Sequence, residues 1–121
     1  AEIWQRFIVK HPGRFSRGFY DFRVGDAADV HGECMDCVKN AWYDLTRWQI
    51  DVVAEDDDKI YTIEVKPHAN AKAIGQALSY AALYREEQKP AKRVVPVVLT
   101  NSIISTTARC AKHCGVELWE A

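Results

Sequence analysis

Trp48-Gln49-Ile50-Asp51-Val52-Val53-Ala54, then Glu55-Asp56-Asp57-Asp58-Lys59, then Ile60-Tyr61-Thr62-Ile63-Glu64-Val65-Lys66 is the stretch on which the reading of this chain turns. Its outer runs are rich in β-branched and aromatic residues and the acidic run between them is polar enough for a loop, which predicts a hairpin. Three charges sit inside those strands: Asp51, Glu64 and Lys66. A charge in a half-buried strand is unfavourable unless it is paired or bound to a metal, so something must compensate them. Side chains alternate along a strand, which puts Ile60, Thr62, Glu64 and Lys66 on one face and Tyr61, Ile63 and Val65 on the other. Pairing Ala54 with Tyr61 sets Asp51 opposite Glu64, and a slip of two residues still leaves all three charged groups on one face. Facing carboxylates repel unless a divalent cation lies between them. A hard cation such as Mg²⁺, for which Mn²⁺ can substitute, takes a few oxygen ligands and keeps water for the rest. Lys66 beside it can hold or deprotonate an attacking water, or neutralise a phosphate. That pattern suits metal-assisted hydrolysis of a phosphodiester.

An acid on one strand followed by Glu64-Val65-Lys66 on the next resembles the signature of the PD-(D/E)XK nuclease superfamily. The likeness extends over about residues 30 to 119 and is closest to the Mrr-type and archaeal Holliday-junction-resolvase-like branch. Further along, Gln76-Ala77 and Tyr80 lie on the helix after the E-x-K triplet. Val97-Val98-Leu99-Thr100-Asn101-Ser102, Ala108, Ala111 and Gly115-Val116-Glu117-Leu118 then look like that branch's closing strand, helix and strand. The resemblance implies a restriction-endonuclease-like α/β sandwich, whose central mixed sheet carries an antiparallel catalytic hairpin and is flanked by helices. It also implies a Mg²⁺-dependent endonuclease acting on DNA. In that scheme Asp51, Glu64 and the Val65 carbonyl hold the metal, with Glu33, in a helix upstream, as an extra metal-site acid. Lys66 positions the water or stabilises the pentavalent transition state, and Gln76 supports it. Ile50 stands where the signature often has proline. The family's strand before Asp51 has two candidates here, Trp42 to Leu45 or Phe19 to Val24.

Apolar residues at helical spacing predict three helices: Cys34, Val38, Ala41 and Leu45; Ile74, Ala77 or Leu78, Ala81 and Tyr84, with Pro90 beyond the end; and a short one from Ser105-Thr106 through Ala108 and Ala111. From Trp48 the order is strand, strand, helix, strand, helix, strand, which predicts an antiparallel hairpin followed by strands joined through helical crossovers. On the second helix Lys72, Gln76 and Tyr80 recur every four residues and form one polar stripe near the end of the E-x-K strand. Gln76 there can orient Lys66 or hold a phosphate oxygen, and Lys72, Tyr80 and the loop residue His68 are candidate nucleic-acid contacts. For Glu33 the residues alone offer a plainer account, since an acid in a first helical turn is favoured by the helix dipole.

At 121 residues the chain is read as one domain, with residues 1–25 as a basic N-terminal extension and 30–119 as the core. A net charge of −1 argues against non-specific coating of nucleic acid, but the distribution is uneven. Arg6, Lys10, Arg14, Arg17 and Arg23 face only Glu2 and Asp21 in the first 23 residues, whereas residues 51 to 58 hold five acids and no base. The loop from Lys10 to Gly18, with Arg14, Arg17 and the interleaved Phe15, Phe19 and Tyr20, can track a phosphate backbone and stack on a base; equally, it can be solvated with its aromatics in the core. Cys34-x-x-Cys37 and Cys110-x-x-x-Cys114, with His31 and His113 adjacent, can together build a structural zinc site. Buried free thiols are the expectation, because cysteine is among the most buried residue types. No apolar run approaches the roughly 18 residues of a membrane span and no leader opens the chain, so a cytoplasmic protein of prokaryotic or viral origin is expected. A domain of this size has little surface with which to grip DNA alone, so a homodimer or a larger nuclease assembly is expected. The competing function is a catalytically silent nuclease fold that binds nucleic acid or protein.

Overall fold

The computed structural model describes residues 2–26 and 47–121. Glu33, Cys34, Cys37, the helix expected from about His31 and the candidate strand Trp42 to Leu45 lie outside them. Among the described residues the chain runs α1 (Glu2–Lys10), β1 (Arg17–Val24), β2 (Trp48–Glu55), β3 (Lys59–His68), α2 (Ala71–Gln88), β4 (Arg93–Ser102), α3 (Ser105–Cys114) and β5 (Glu117–Glu120). The five strands form one sheet in sequence order. β1, β2 and β3 are antiparallel neighbours, and β3, β4 and β5 are parallel neighbours reached through α2 and α3. The hairpin register is the expected one, with Ala54 opposite Tyr61.

Residues 2–24 correct one expectation. They form a helix and an edge strand built into the sheet and its core, not an appended basic arm. Ile3, Trp4, Phe7 and Ile8 recur at helical spacing, and Trp4 and Phe7 are buried against Val52, Ala54, Tyr61, Ile63, Val95, Val97 and Leu99. Glu2 in the first turn and Lys10 in the last suit the helix dipole. Phe15 packs on this cluster, so it serves the core, whereas Phe19 and Tyr20 remain exposed. β1 supplies the strand expected from Phe19 to Val24.

The opposite face is covered by α2 and α3. Ala73, Ala77 and Ala81 are fully buried, and their small side chains let α2 lie close on Val53, Ile60, Val94 and Val98. Asn70 caps α2 by accepting from the Ala73 N–H at 3.0 Å. Pro96 sits in β4 one residue before pairing with β5 begins at Val97, where the strand still has an open edge and a missing N–H is tolerated. Among the described residues no helix is long and apolar enough to cross a membrane.

Candidate active site

The β2–β3 ladder runs from Glu55 opposite Ile60 to Val52 opposite Ile63. One residue further Asp51 comes level with Glu64, and there the strand's own side chain takes over: Asp51 Oδ2 accepts the Val65 N–H at 2.9 Å. The alternation of faces breaks at the same place. Val52 packs on the α1 side and Ile50, two residues away, on the α2 side. In β1, Tyr20 meets Trp4 while Phe22 meets Tyr84. Residues two apart in a regular strand share a face, so both strands kink at one register point. The β1–β2 pairing skips it, passing from Tyr20–Val52 to Phe22–Ile50. Asp21 and Asp51 occupy that point, and Asp21 adopts a left-handed backbone (φ 54°) that few side chains tolerate. The kink turns the Asp51 carboxylate off the apolar face while keeping it beside Glu64.

Glu64 is only 3% exposed, and its Oε1 has no hydrogen-bond partner among the described residues. Burial pushes its pKa up to about 7; the charge of Asp51 pushes the same way, while Lys66 and the Asp51 backbone N–H partly oppose it. Across the α2 face, Tyr80 is half-buried with its phenol pKa raised by burial first and then by the negative charges of Glu64 and Asp51. Its ring packs edge-on to Trp48 at 5.8 Å. One turn earlier the Gln76 amide oxygen is buried without a partner among the described residues, as is Thr62 Oγ1 two residues before Glu64 in β3. Buried oxygens without donors are costly unless a cation, a lysine or water meets them. Lys66 is half-buried two residues beyond Glu64, level with Thr100 of β4.

The structure thus brings Asp51, Glu64, Val65, Lys66 and Tyr80 to one end of the hairpin, with Gln76 one turn before Tyr80 on α2. His68 lies exposed at the end of β3 and Lys72 exposed in the first turn of α2. Arg14 and Arg17 lie elsewhere. The Arg14 guanidinium stacks over Trp119 at 4.5 Å and over Phe15 at 5.3 Å. Arg17 pairs with Glu55 at 3.9 Å and lies over Phe19. In register Arg17 is level with Glu55, four residues or roughly 13 Å along β2 from Asp51.

A carboxylate pair with one orphaned buried oxygen fits a hard, oxygen-seeking cation. Among the described residues no third His, Cys, Asp or Glu completes a cage. Two carboxylates suit an ion that takes a few oxygen ligands and keeps water for the rest, as Mg²⁺ does. Cys110 and Cys114 depart from the expectation of burial: both are exposed free thiols. The buried residues of α3 are Thr107 and Ala111, and Cys110 and Cys114, each three residues further along, flank them and are exposed.

Sequence reasoning passed over Asp21 and the space beside it. A cavity of about 540 Å³ opens on the α1 face, with Trp4, Tyr20, Asp21, Asp51, Val65 and Pro67 in its wall. A signal for it was present. Tyr20-Asp21-Phe22 places a charge between aromatics in a strand, the same anomaly that marks Asp51.

No protein-family model matches the chain, and no curated protein matches it closely. Solved structures do. It is similar over 99% of its length to EndoMS in its complex with dsDNA, at 22% identity and a TM-score of 0.56, covering 43% of that chain. A repair endonuclease from Pyrococcus abyssi is similar over 99% of this chain and 46% of its own, at 16% identity and a TM-score of 0.57. EndoMS in apo form is similar over 98% of this chain and 44% of its own, at 21% identity and a TM-score of 0.56. The chain spans less than half the length of these structures. What the likeness establishes is architecture: a mixed five-stranded sheet between helices, with its antiparallel hairpin bearing Asp51 and Glu64, is the restriction-endonuclease-like fold.

Proposed function

We propose that this chain is a metal-dependent endonuclease that hydrolyses phosphodiester bonds in DNA, of the PD-(D/E)XK superfamily and its Mrr-type and Holliday-junction-resolvase-like branch. The observation that carries the reading is the buried, unpartnered Glu64 oxygen set beside Asp51, with Lys66 two residues on. A purely structural carboxylate buried this deeply would be paired. The structural likeness to proteins described as endonucleases supports it.

Asp51, Glu64 and the Val65 carbonyl are the groups that would hold Mg²⁺, or Mn²⁺ in its place. When bound, the ion supplies Lewis-acid polarisation of the scissile phosphodiester and of the attacking water. The chain's own residues do the rest. The Val65 N–H fixes the Asp51 carboxylate through its hydrogen bond and leaves the other oxygen free. Lys66 holds the attacking water and offers its charge where negative charge grows on the phosphorane oxygens. Gln76, with a buried acceptor awaiting a donor, is placed on α2 to orient an ammonium or a water. Tyr80, Lys72 and His68 serve the DNA backbone around that centre, as a homodimer or a larger assembly would need for a firm grip.

The test is cleavage of covalently closed and linear DNA, single-stranded and duplex, with Mg²⁺, Mn²⁺ or EDTA. Opening of closed circles that needs the metal and is lost in Asp51→Asn supports the reading. DNA binding without cleavage under every condition would make the fold a silent binding module.

A further inference from the structure

We propose that the cavity on the α1 face receives one unstacked base of a DNA strand whose backbone lies at Asp51 and Glu64, so that the substrate is single-stranded or locally opened DNA. The proposal rests on the nuclease reading and names the substrate of that site. The cavity measures about 540 Å³, within the range of roughly 300–1,000 Å³ typical of small-ligand sites. Asp51 forms part of its wall, so an occupant sits beside one of the two carboxylates of the candidate centre. Bases stacked inside a duplex cannot enter a cleft of this kind; only a base taken out of the stack can.

The lining suits a base. Tyr20 is 62% exposed and yet held, since its hydroxyl accepts from Trp4 Nε1 at 3.0 Å and its ring stands edge-on to Trp4 at 6.4 Å. A stiff, exposed aromatic ring is a stacking platform that gives up little freedom when a base lies on it. Val52, Val65 and Pro67 supply apolar wall. Asp21, on the wall away from the hairpin, favours a neutral group that donates. Asp21 Oδ1 accepts from Gln49 Nε2, which leaves Oδ2 for an exocyclic amine. Cytosine and adenine carry such an amine and thymine does not, so an amino-bearing base is preferred.

Two measurements test this. Binding of labelled oligo-dC and oligo-dT strands is read by fluorescence anisotropy in Ca²⁺, and cleavage of one mixed-sequence strand, alone and annealed to its complement, is read in Mg²⁺. Oligo-dC should bind the more tightly, and Tyr20→Ala should weaken that binding roughly tenfold, whereas Tyr20→Phe, which keeps the ring, should retain most of it. The free strand should be cut faster than the duplex, and Tyr20→Ala should lower kcat/KM on the free strand by a similar factor. Tyr20-dependent, dC-preferring binding without any cleavage would sustain the cavity and remove the nuclease reading. Cleavage that prefers duplex, or that ignores Tyr20→Ala, would remove the cavity and leave the nuclease reading standing. Because Tyr20 is mostly solvent-exposed, a thermal melt of both variants close to wild type excludes a folding defect as the cause.

Discussion

The two ends of one hairpin carry similar acids in opposite conditions. At the turn, Asp56 is fully engaged: Oδ1 accepts from the backbone N–H of Asp58 at 2.9 Å and Lys59 at 2.7 Å, and Oδ2 accepts from the Tyr61 hydroxyl at 2.8 Å. Glu55 pairs with Lys92 at 2.7 Å, and Asp57 and Asp58 face solvent. At the open end, Glu64 is buried with an oxygen that meets no donor among the described residues. The turn has more acids and needs no ion to explain them. The open end has fewer and leaves a buried carboxylate oxygen without a donor among the described residues, and it is that deficit, not the number of acids, that marks a binding centre.

The largest contrast is in catalysis. Asp51→Asn keeps the shape but removes the charge that would hold a metal, and cleavage should fall roughly a thousandfold or more while the melting temperature stays near wild type. Asp56→Ala should do the reverse. Activity should survive, and stability should drop by about 1–2 kcal/mol as the turn N–H groups lose their acceptor, measured by urea unfolding. Cleavage lost equally in both variants would erase the distinction between the two ends.

Lys66→Ala sharpens it within the open end. A lysine that acts where charge develops should lose far more rate than affinity, so single-turnover cleavage should fall by roughly a hundredfold or more with DNA binding changed only slightly. Equal losses would recast Lys66 as a phosphate anchor.

Stability against pH gives a smaller signal with a defined sign. The Glu64 pKa is raised to about 7, so the folded protein binds this proton more tightly than the unfolded chain does. Below the ordinary glutamate range the carboxyl is neutral in both states and no penalty exists. As the pH rises through about 7 the folded protein must ionise a buried group, and stability declines across that window. Glu64→Gln has no such group. It should gain on wild type as the pH rises from about 4.5 to 7, reaching of order 2 kcal/mol, and Mg²⁺ above pH 7 should stabilise wild type but not the variant. A constant difference between the two proteins would show that Glu64 is not held in an uncompensated state.

How much of this was legible in the sequence follows the same division. The hairpin, its register, α2, α3 and the closing strands could be read because two-residue and helical periodicities survive in Ile60 to Lys66, in Ile74 to Tyr84 and in Val94 to Leu99. α1 was missed although Ile3, Trp4, Phe7 and Ile8 carry its period, because Arg6, Lys10, Arg14 and Arg17 drew the eye to charge. Asp21 was missed for a deeper reason. Its importance comes from a kink shared by two strands, and a positive φ at a non-glycine residue leaves no periodic trace. Cys110 and Cys114 each follow the buried Thr107 and Ala111 by three residues, a spacing that a helix puts near the same side, so their exposure leaves no trace in the sequence pattern.

The smallest expected effect concerns the arginines of the turn end. Arg14 lies over four aromatic rings, Phe7, Phe15, Tyr61 and Trp119, and Arg17 beside Glu55 and Phe19. A guanidinium on an aromatic face is worth about 0.5–2 kcal/mol, so Arg14→Ala should lower stability by about 1 kcal/mol. Arg17 is mostly exposed, and its pairing with Glu55 should add little. If both residues serve the fold, the double alanine variant should keep the wild-type slope of log affinity against log salt. If they grip the DNA backbone as well, the slope should flatten by roughly 0.9 for each phosphate that an arginine no longer neutralises, up to two. The second result would extend the DNA path along the whole hairpin and make the turn end part of the interface. The first would confine substrate to the end where Glu64 Oε1 meets no donor among the described residues.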